Sequence, residues 1–285
     1  MYAIKNIFKK SNIGTIVFFF LNAAFVMLLF SSGGMDALVM TLFVYIASIF
    51  LAFSPLGEWL LCFFVGGKKM VRADMQARIT PLLDTVVMRA RKKTPEFTRD
   101  INLKIIYSPD PAAYAIGRQT ICVTEGLFML PKKQVLGILS HEVAHLAKGH
   151  NDIQMLIGGG NFVITILILM IKAFSILVAT ISIVKAIRQR SLMTTIAGVL
   201  FAIVIWLWTK FCMLFLRWSL RANEYEAGAY AVNLGYGYEL AEWLDSKAMG
   251  APKDPFLKAM FFAHPNPHKR IAKIQAMGVS YSSYT

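Results

Sequence analysis

Four stretches of the chain are almost free of charge over the roughly 20 apolar residues that a bilayer-spanning helix needs. Ile13 to Phe30 and Ala37 to Gly57 carry no charge, and Ser54-Pro55 marks a kink or an end in the second. Ile153 to Ile171 is uncharged up to Lys172 and resumes to Val184; Ser191 to Thr209 continues past Lys210 to Leu216. The first run follows Lys5, Lys9 and Lys10 as a signal peptide would, but it is too long for one, and a second span follows after the short turn Ser31 to Asp36. The pattern predicts an uncleaved helical hairpin at the N-terminus and a second hairpin later in the chain.

Between and after the hairpins the periodicity changes. Lys68 to Thr94 reads as a basic amphipathic helix close to anionic headgroups. Ile101 to Tyr107 alternates as a strand does, and Thr120 to Thr124 is a second strand candidate. Residues 217–285 read as helical to about Lys247 and then become rich in Pro and Gly. Four parts result: 1–65, a transmembrane hairpin; 66–152, soluble; 153–216, a second hairpin; 217–285, soluble again.

Composition sharpens this reading. Hydrophobic residues make up 56% and charged residues only 16%, with a mean hydropathy of +0.55, which excludes a disordered or collagenous chain. The net charge of +14 would suit nucleic acid, but no basic patch dominates, so it is read as membrane topology and no nucleic-acid partner is expected. Lysines before the first span, with Lys68, Lys69 and Arg72 after the second, put the N-terminus and the segment from residue 66 on the cytoplasmic side. The turn containing Lys185, Arg188 and Arg190 opposes that rule and leaves open whether the second hairpin crosses fully. Cys62, Cys122 and Cys212 are far apart in sequence and suggest neither a disulfide framework nor a zinc cluster.

The chemistry concentrates at His141-Glu142-Val143-Ala144-His145, after the apolar run Val135 to Leu139. Residues four apart share a helical face, so His141 and His145 can bind one zinc ion, while Glu142 can reach a water beside it as general base. Two structural histidines on a helix would match the same pattern by chance. The five histidines of the chain nevertheless fall in two short windows, His141, His145 and His150 in one and His264 and His268 in the other. A third ligand is required, and Glu224 or Glu226 in Arg221 to Gly228 qualifies; spacing favours neither. A ligand there demands that residues 153–216 return the chain to its starting side, which two spans do and one or three do not.

These residues resemble the HtpX family of membrane zinc metalloproteases, relatives of the CAAX prenyl proteases, over nearly the whole length. The family's E-x-x-A-D pattern after a basic residue implies Glu224 as third ligand, with Arg221 before it. Its N-A-F-A-x-G strand segment matches Ala112-Ala113-Tyr114-Ala115-Ile116-Gly117, and its late His-Pro and Arg-Ile match His264-Pro265 and Arg270-Ile271. The resemblance implies one zinc per chain, His264 near the metal stabilising an oxyanion, and Arg270 supporting it. Three positions depart: Gly228 and His150 stand where aspartates are common, and Ala112 where an asparagine is. Partners that orient ligand histidines typically matter about 10–100-fold for affinity or activity.

The fold class expected is a mainly α membrane protein: two transmembrane hairpins plus an α+β cytoplasmic zincin-like domain built from two chain segments. Zinc in this ligand set would lower the pKa of a water to around 7, and Glu142 would take its proton and pass it to the leaving amine. Substrate is expected to lie extended along the strand at Ala113, Tyr114 and Ala115. Unfolded polypeptides and membrane proteins are the expected substrates, with the bilayer as a further partner. The resemblance implies a stress-related quality-control role and a multi-pass place in a bacterial inner membrane. A maturation protease for one peptide or lipidated precursor, a metal-binding scaffold without activity, and a small channel are the competing readings; the scarcity of ionisable residues in the spans argues against the last.

Overall fold

The computed structural model describes residues 9–30, 34–155, 192–249 and 266–282, with a few positions between 169 and 181. The chain forms two compact units, one of Met1–Ile13, Phe53–Met155 and Ser219–Thr285, the other of Gly14–Ala52 and Leu156–Trp218.

The second unit is apolar and helical. It contains most of α1 (Ile13–Phe30), nearly all of α2 (Gly34–Phe53) and the first part of α7 (Leu192–Asn233). Among the described residues α2 is the one helix long and apolar enough to cross a membrane, and Val39, Met40, Phe43 and Phe50 on it are exposed. Phe25 stacks on Trp208 within this unit at 5.3 Å between ring centroids. The third predicted span lies largely outside the described residues, as does the basic turn at Lys185 to Arg190. The fourth apolar run, Ser191 to Thr209 and on to Leu216, lies on α7, which continues without a break for 42 residues, from Leu192 past Glu224 to Asn233.

The other unit is α+β. Its sheet has the order β1-β2-β4-β3, with β1 (Lys68–Lys69), β2 (Asn102–Ile106), β3 (Ala113–Ile116) and β4 (Thr120–Thr124). β2 and β4 run parallel, while β1 and β3 pair antiparallel at the two edges. The expected strand at Thr120 to Thr124 has the same limits in the structure, and the expected helix from Lys68 does not. Lys68 and Lys69 instead pair with Ile105 and Lys104, and the helix, α4, spans Ala73–Lys93. The positive φ of Gly66 turns the chain into that pairing, a local signal that outweighs the helical periodicity beyond it.

Side-chain alternation gives the sheet two faces. Ile105, Ala113, Ala115, Ile121 and Val123 point into the main core. There they meet Ile79, Leu83 and Val86 of α4 and Val135, Ile138 and Leu139 of α5 (Lys132–Lys148). α8 (Gly237–Met249) packs across α5 so closely that a Cβ on Gly137 would lie 2.6 Å from the Leu240 amide nitrogen. The opposite face carries Cys122, Ile116 and Tyr114 and is covered by α3 (Pro55–Phe64) through Cys62. Cys62 and Cys122, distant in sequence, are therefore neighbours across a helix–strand contact, and both are free thiols.

Candidate metal site

Helix α5 positions the first two site residues. Apart from half-buried Leu136 it is buried from Val135 to Ala147, and it stops because Gly149 adopts a left-handed conformation (φ 69°), the usual way to end a helix. His141 and His145 lie one turn apart on its inner side, and α7 supplies Glu224 from far along the chain. The three are buried, with His141 Nε2 and His145 Nε2 3.2 Å apart. Glu224 Oε2 lies 3.3 Å from the first and Oε1 3.4 Å from the second. Donors bound at about 2.0–2.1 Å in a tetrahedral zinc site stand about 3.3–3.4 Å from one another, close to these distances, although each histidine here meets a different Glu224 oxygen; one ligand atom from each of the three lies within 4.8 Å of the others. The described residues that could hold a metal are these three.

A cation already stands against the triangle. Arg270, on α9 (Pro267–Gln275), is buried, with Nη2 2.9 Å from His141 Nε2 and Nη1 3.3 Å from Glu224 Oε2. Asn266 caps that helix by accepting the His268 N–H, and Pro267 fills its first position. The resemblance implies that Arg270 supports His264; its observed partners are His141 and Glu224. His264 itself lies outside the described residues. Burial first, and then Arg270, hold the pKa of His141 well below its ordinary value, which keeps it the neutral imidazole that metals bind. For His145, burial opposes the charged form, but the hydrogen bond and charge of Glu224 outweigh it and raise the pKa.

Glu142, next to His141 on α5, reaches the sheet. Its Oε2 accepts the Ala115 N–H at 2.7 Å. The register explains why that N–H is available. Tyr114 and Ile116 face Cys122 and Thr120, and the Thr124 N–H donates to Ala112 O at 2.9 Å, so the main-chain groups of Ala113 and Ala115 point away from β4. No strand pairs with that outer edge of β3 among the described residues. Ala113 and Ala115 turn their methyl groups to the core and Tyr114 turns to the α3 side, so all three predicted substrate contacts lie on one edge strand beside Glu142. Ala112, where the resemblance implies asparagine, is tied instead by Thr124, whose hydroxyl accepts the Ala112 N–H at 2.8 Å.

The two acidic candidates on α7 have different partners. Glu226 is not at the triangle; its Oε2 is 3.1 Å from His150 Nε2, and His150 Nδ1 is 3.2 Å from His145 Nδ1. If His145 binds through Nε2, its Nδ1 carries the proton, so His150 must accept there and donate through Nε2 to Glu226. The side chain that departs from the resemblance thus restores an acceptor behind His145, with a carboxylate one step further out. Burial pushes His150 down to about 4, consistent with a neutral ring, and the His150 hydrogen bond holds Glu226 down at about 2. Lys9 and Lys148 flank Glu226 at 3.9 and 4.0 Å, and Lys9 Nζ donates to Lys148 O at 2.9 Å. In the sequence Lys9 is a membrane-flanking charge, and nothing in its neighbourhood signals these partners.

A model of peptidase family M48 matches residues 73–278. The chain belongs to peptidase family M48. The match takes in α4, the sheet from β2 onward, the triangle and Arg270, and the family consists of metallopeptidases. No curated protein matches the sequence. Within this M48 chain the His141, His145 and Glu224 group could hold a metal.

Proposed function

We propose that this M48 protein is an HtpX-type zinc endopeptidase, embedded in a bacterial inner membrane, that cleaves misfolded or damaged membrane proteins on the cytoplasmic side. The observation that carries the reading is the conjunction of the three-donor triangle with Glu142 held at an unpaired strand edge. His141, His145 and Glu224 would hold the zinc, which when bound supplies Lewis acidity and lowers the pKa of a water to around 7. The Ala115 N–H holds Glu142 in place as a carboxylate acceptor. From there it takes a proton from the attacking water and delivers it to the leaving amine. β3 receives the substrate as an added strand through the outward N–H and C=O of Ala113 and the C=O of Ala115, whose N–H Glu142 occupies, a mode that reads backbone more than side chain and so favours broad specificity.

The membrane part of the proposal rests on α2 and on charge. Lys9, at the flank of the first apolar run, meets Lys148 and Glu226 beside the site, which supports a shared side for the N-terminus and the chemistry. Lys68, Lys69 and Arg72 after the second run support that side being cytoplasmic. The test is cleavage of casein by purified protein and by Glu142→Gln, with zinc measured in both. Zinc retained and cleavage lost in the variant is the expected result. Equal cleavage would remove Glu142 from the mechanism, and wild-type protein without zinc would remove the metal.

A further inference from the structure

Helix α3 is apolar on both sides, although among the described residues only one side is packed against protein. Gly57 and Cys62 are buried, Leu61 and Val65 pack against the Cys122 cluster, and Glu58 reaches the turn between β3 and β4. There Glu58 Oε1 accepts the Thr120 hydroxyl at 2.6 Å and Oε2 the Arg118 N–H at 3.2 Å. On the opposite side Leu56, Trp59, Phe63 and Phe64 are 52%, 54%, 64% and 73% exposed, and Trp59 stacks on Phe63 with centroids 5.6 Å apart. At 100° per residue these four fall within one broad face, and positions 57, 58, 61, 62 and 65 fill the other. Aromatic side chains present roughly 150–250 Å² each, so the open face amounts to on the order of 400–500 Å², at the upper end of what a soluble monomer leaves bare.

Two neighbours in the chain identify what covers it. The helix begins two residues after the end of α2, the candidate span, where Ser54 caps it and Pro55 starts it. It is followed at once by Lys68 and Lys69, both exposed, and by exposed Arg72. An aromatic apolar face directly joined to a membrane-length helix and edged by cations suits the boundary between acyl chains and phosphate headgroups. A second copy of the chain, itself with a net charge of +14, is a poorer match for the lysines than an anionic lipid surface.

We propose that α3 lies in the headgroup–acyl boundary of a phospholipid bilayer on its Leu56, Trp59, Phe63 and Phe64 face, and thereby holds the β3–β4 turn at the membrane surface. This rests on the membrane reading above and deepens it: the substrate edge β3 is the first strand of that turn, so polypeptide emerging from the bilayer meets the edge where it leaves the lipid. The full chain is reconstituted in vesicles of phosphatidylethanolamine and phosphatidylglycerol. The Trp59 emission is obtained as the difference between wild type and Trp59→Phe, and that of Trp206, exposed on α7, from Trp206→Phe.

Lipids brominated near the headgroup end of the acyl chain should quench Trp59 at least about twofold more than lipids brominated near the methyl end, as expected for a helix sunk about 5–10 Å into the boundary. Trp206 quenched while Trp59 is untouched by either lipid would overturn the proposal and leave the membrane reading standing. Stronger quenching of Trp59 from the methyl end would also overturn it, because α3 would then be part of a span. Trp206 and Trp59 both unquenched would overturn the membrane reading itself.

Discussion

The link from His145 through His150 to Glu226 can be tested by removing its middle member. In His150→Ala the His145 Nδ1–H, fully enclosed, loses the acceptor that sits 3.2 Å away in the structure. Loss of such an orienting partner costs about 10–100-fold in metal affinity, equivalent to about 1.4–2.7 kcal/mol. The lower end applies here, because the acceptor is a neutral imidazole at a long hydrogen-bond distance rather than a carboxylate, so about tenfold weaker zinc binding is the expected outcome. His150→Asp is the informative companion. The oxygen of an aspartate stands the same number of bonds from Cα as Nδ1 of histidine, so it can accept the same proton directly. Glu226 would lose its bond to residue 150 but keep Lys9 and Lys148 at 3.9 and 4.0 Å. His150→Asp should therefore bind zinc at least as tightly as wild type. Competition with a fluorescent zinc chelator on metal-stripped protein in detergent measures all three, and a melting curve of each apo-protein separates loss of affinity from loss of fold. Zinc affinity in His150→Ala within about threefold of wild type, with the fold intact, would refute the argument that this bond orients the ligand.

Other consequences are simpler to state. Glu224→Gln should lose tight zinc binding, whereas Glu226→Gln should keep it, because the Gln oxygen can still accept from His150; metal analysis after dialysis distinguishes them. Gly137→Ala forces a methyl group against the backbone of α8, whose Leu240 nitrogen would be 2.6 Å away, so melting should show destabilisation of about 1–3 kcal/mol and the shift of α5 should reduce activity as well. Gly228 is buried within α7, yet a Cβ there meets nothing within 4 Å; Gly228→Ala should stabilise the protein by roughly 0.5–1 kcal/mol through helix propensity, measured by denaturant titration. Tyr281→Phe removes the hydroxyl that donates to buried Asp245 at 2.9 Å and should cost about 1–3 kcal/mol in the same assay.

What the sequence disclosed followed from how local each signal is. The spacing of His141 and His145 is a property of one helix, so two metal donors were legible from five residues. The third was legible only through the family resemblance and not from spacing, because Glu224 and Glu226 lie on the same exposed-looking stretch and only the approach of α7 to α5 sends one to the triangle and the other to His150. Strand β4 was legible as a short apolar run, and its partner order was not: the parallel pairing of β2 with β4 and the placement of β3 at an edge depend on contacts between segments. The same limit explains the cysteines. Cys62 and Cys122 read as unrelated because sequence distance hides that α3 lies over β4.

The departures at Gly228 and His150 show most clearly what a motif leaves out. Taken one at a time, each position subtracts a carboxylate from a site that needs its histidines oriented. Taken in the fold, His150 is enclosed on α6 (His150–Met155), one residue past the glycine that ends α5, and that turn carries its ring back to His145 while Glu226 comes up from α7 to meet it. The requirement is an acceptor at Nδ1 of a ligand histidine, not a particular residue type at a particular number. A carboxylate carried by one helix can be replaced by an imidazole that passes the demand to a carboxylate on another, provided that the ring is buried enough to stay neutral, as His150 is. The departure at His150 is thus a rearranged connection rather than a loss, and its strength is what His150→Asp would measure.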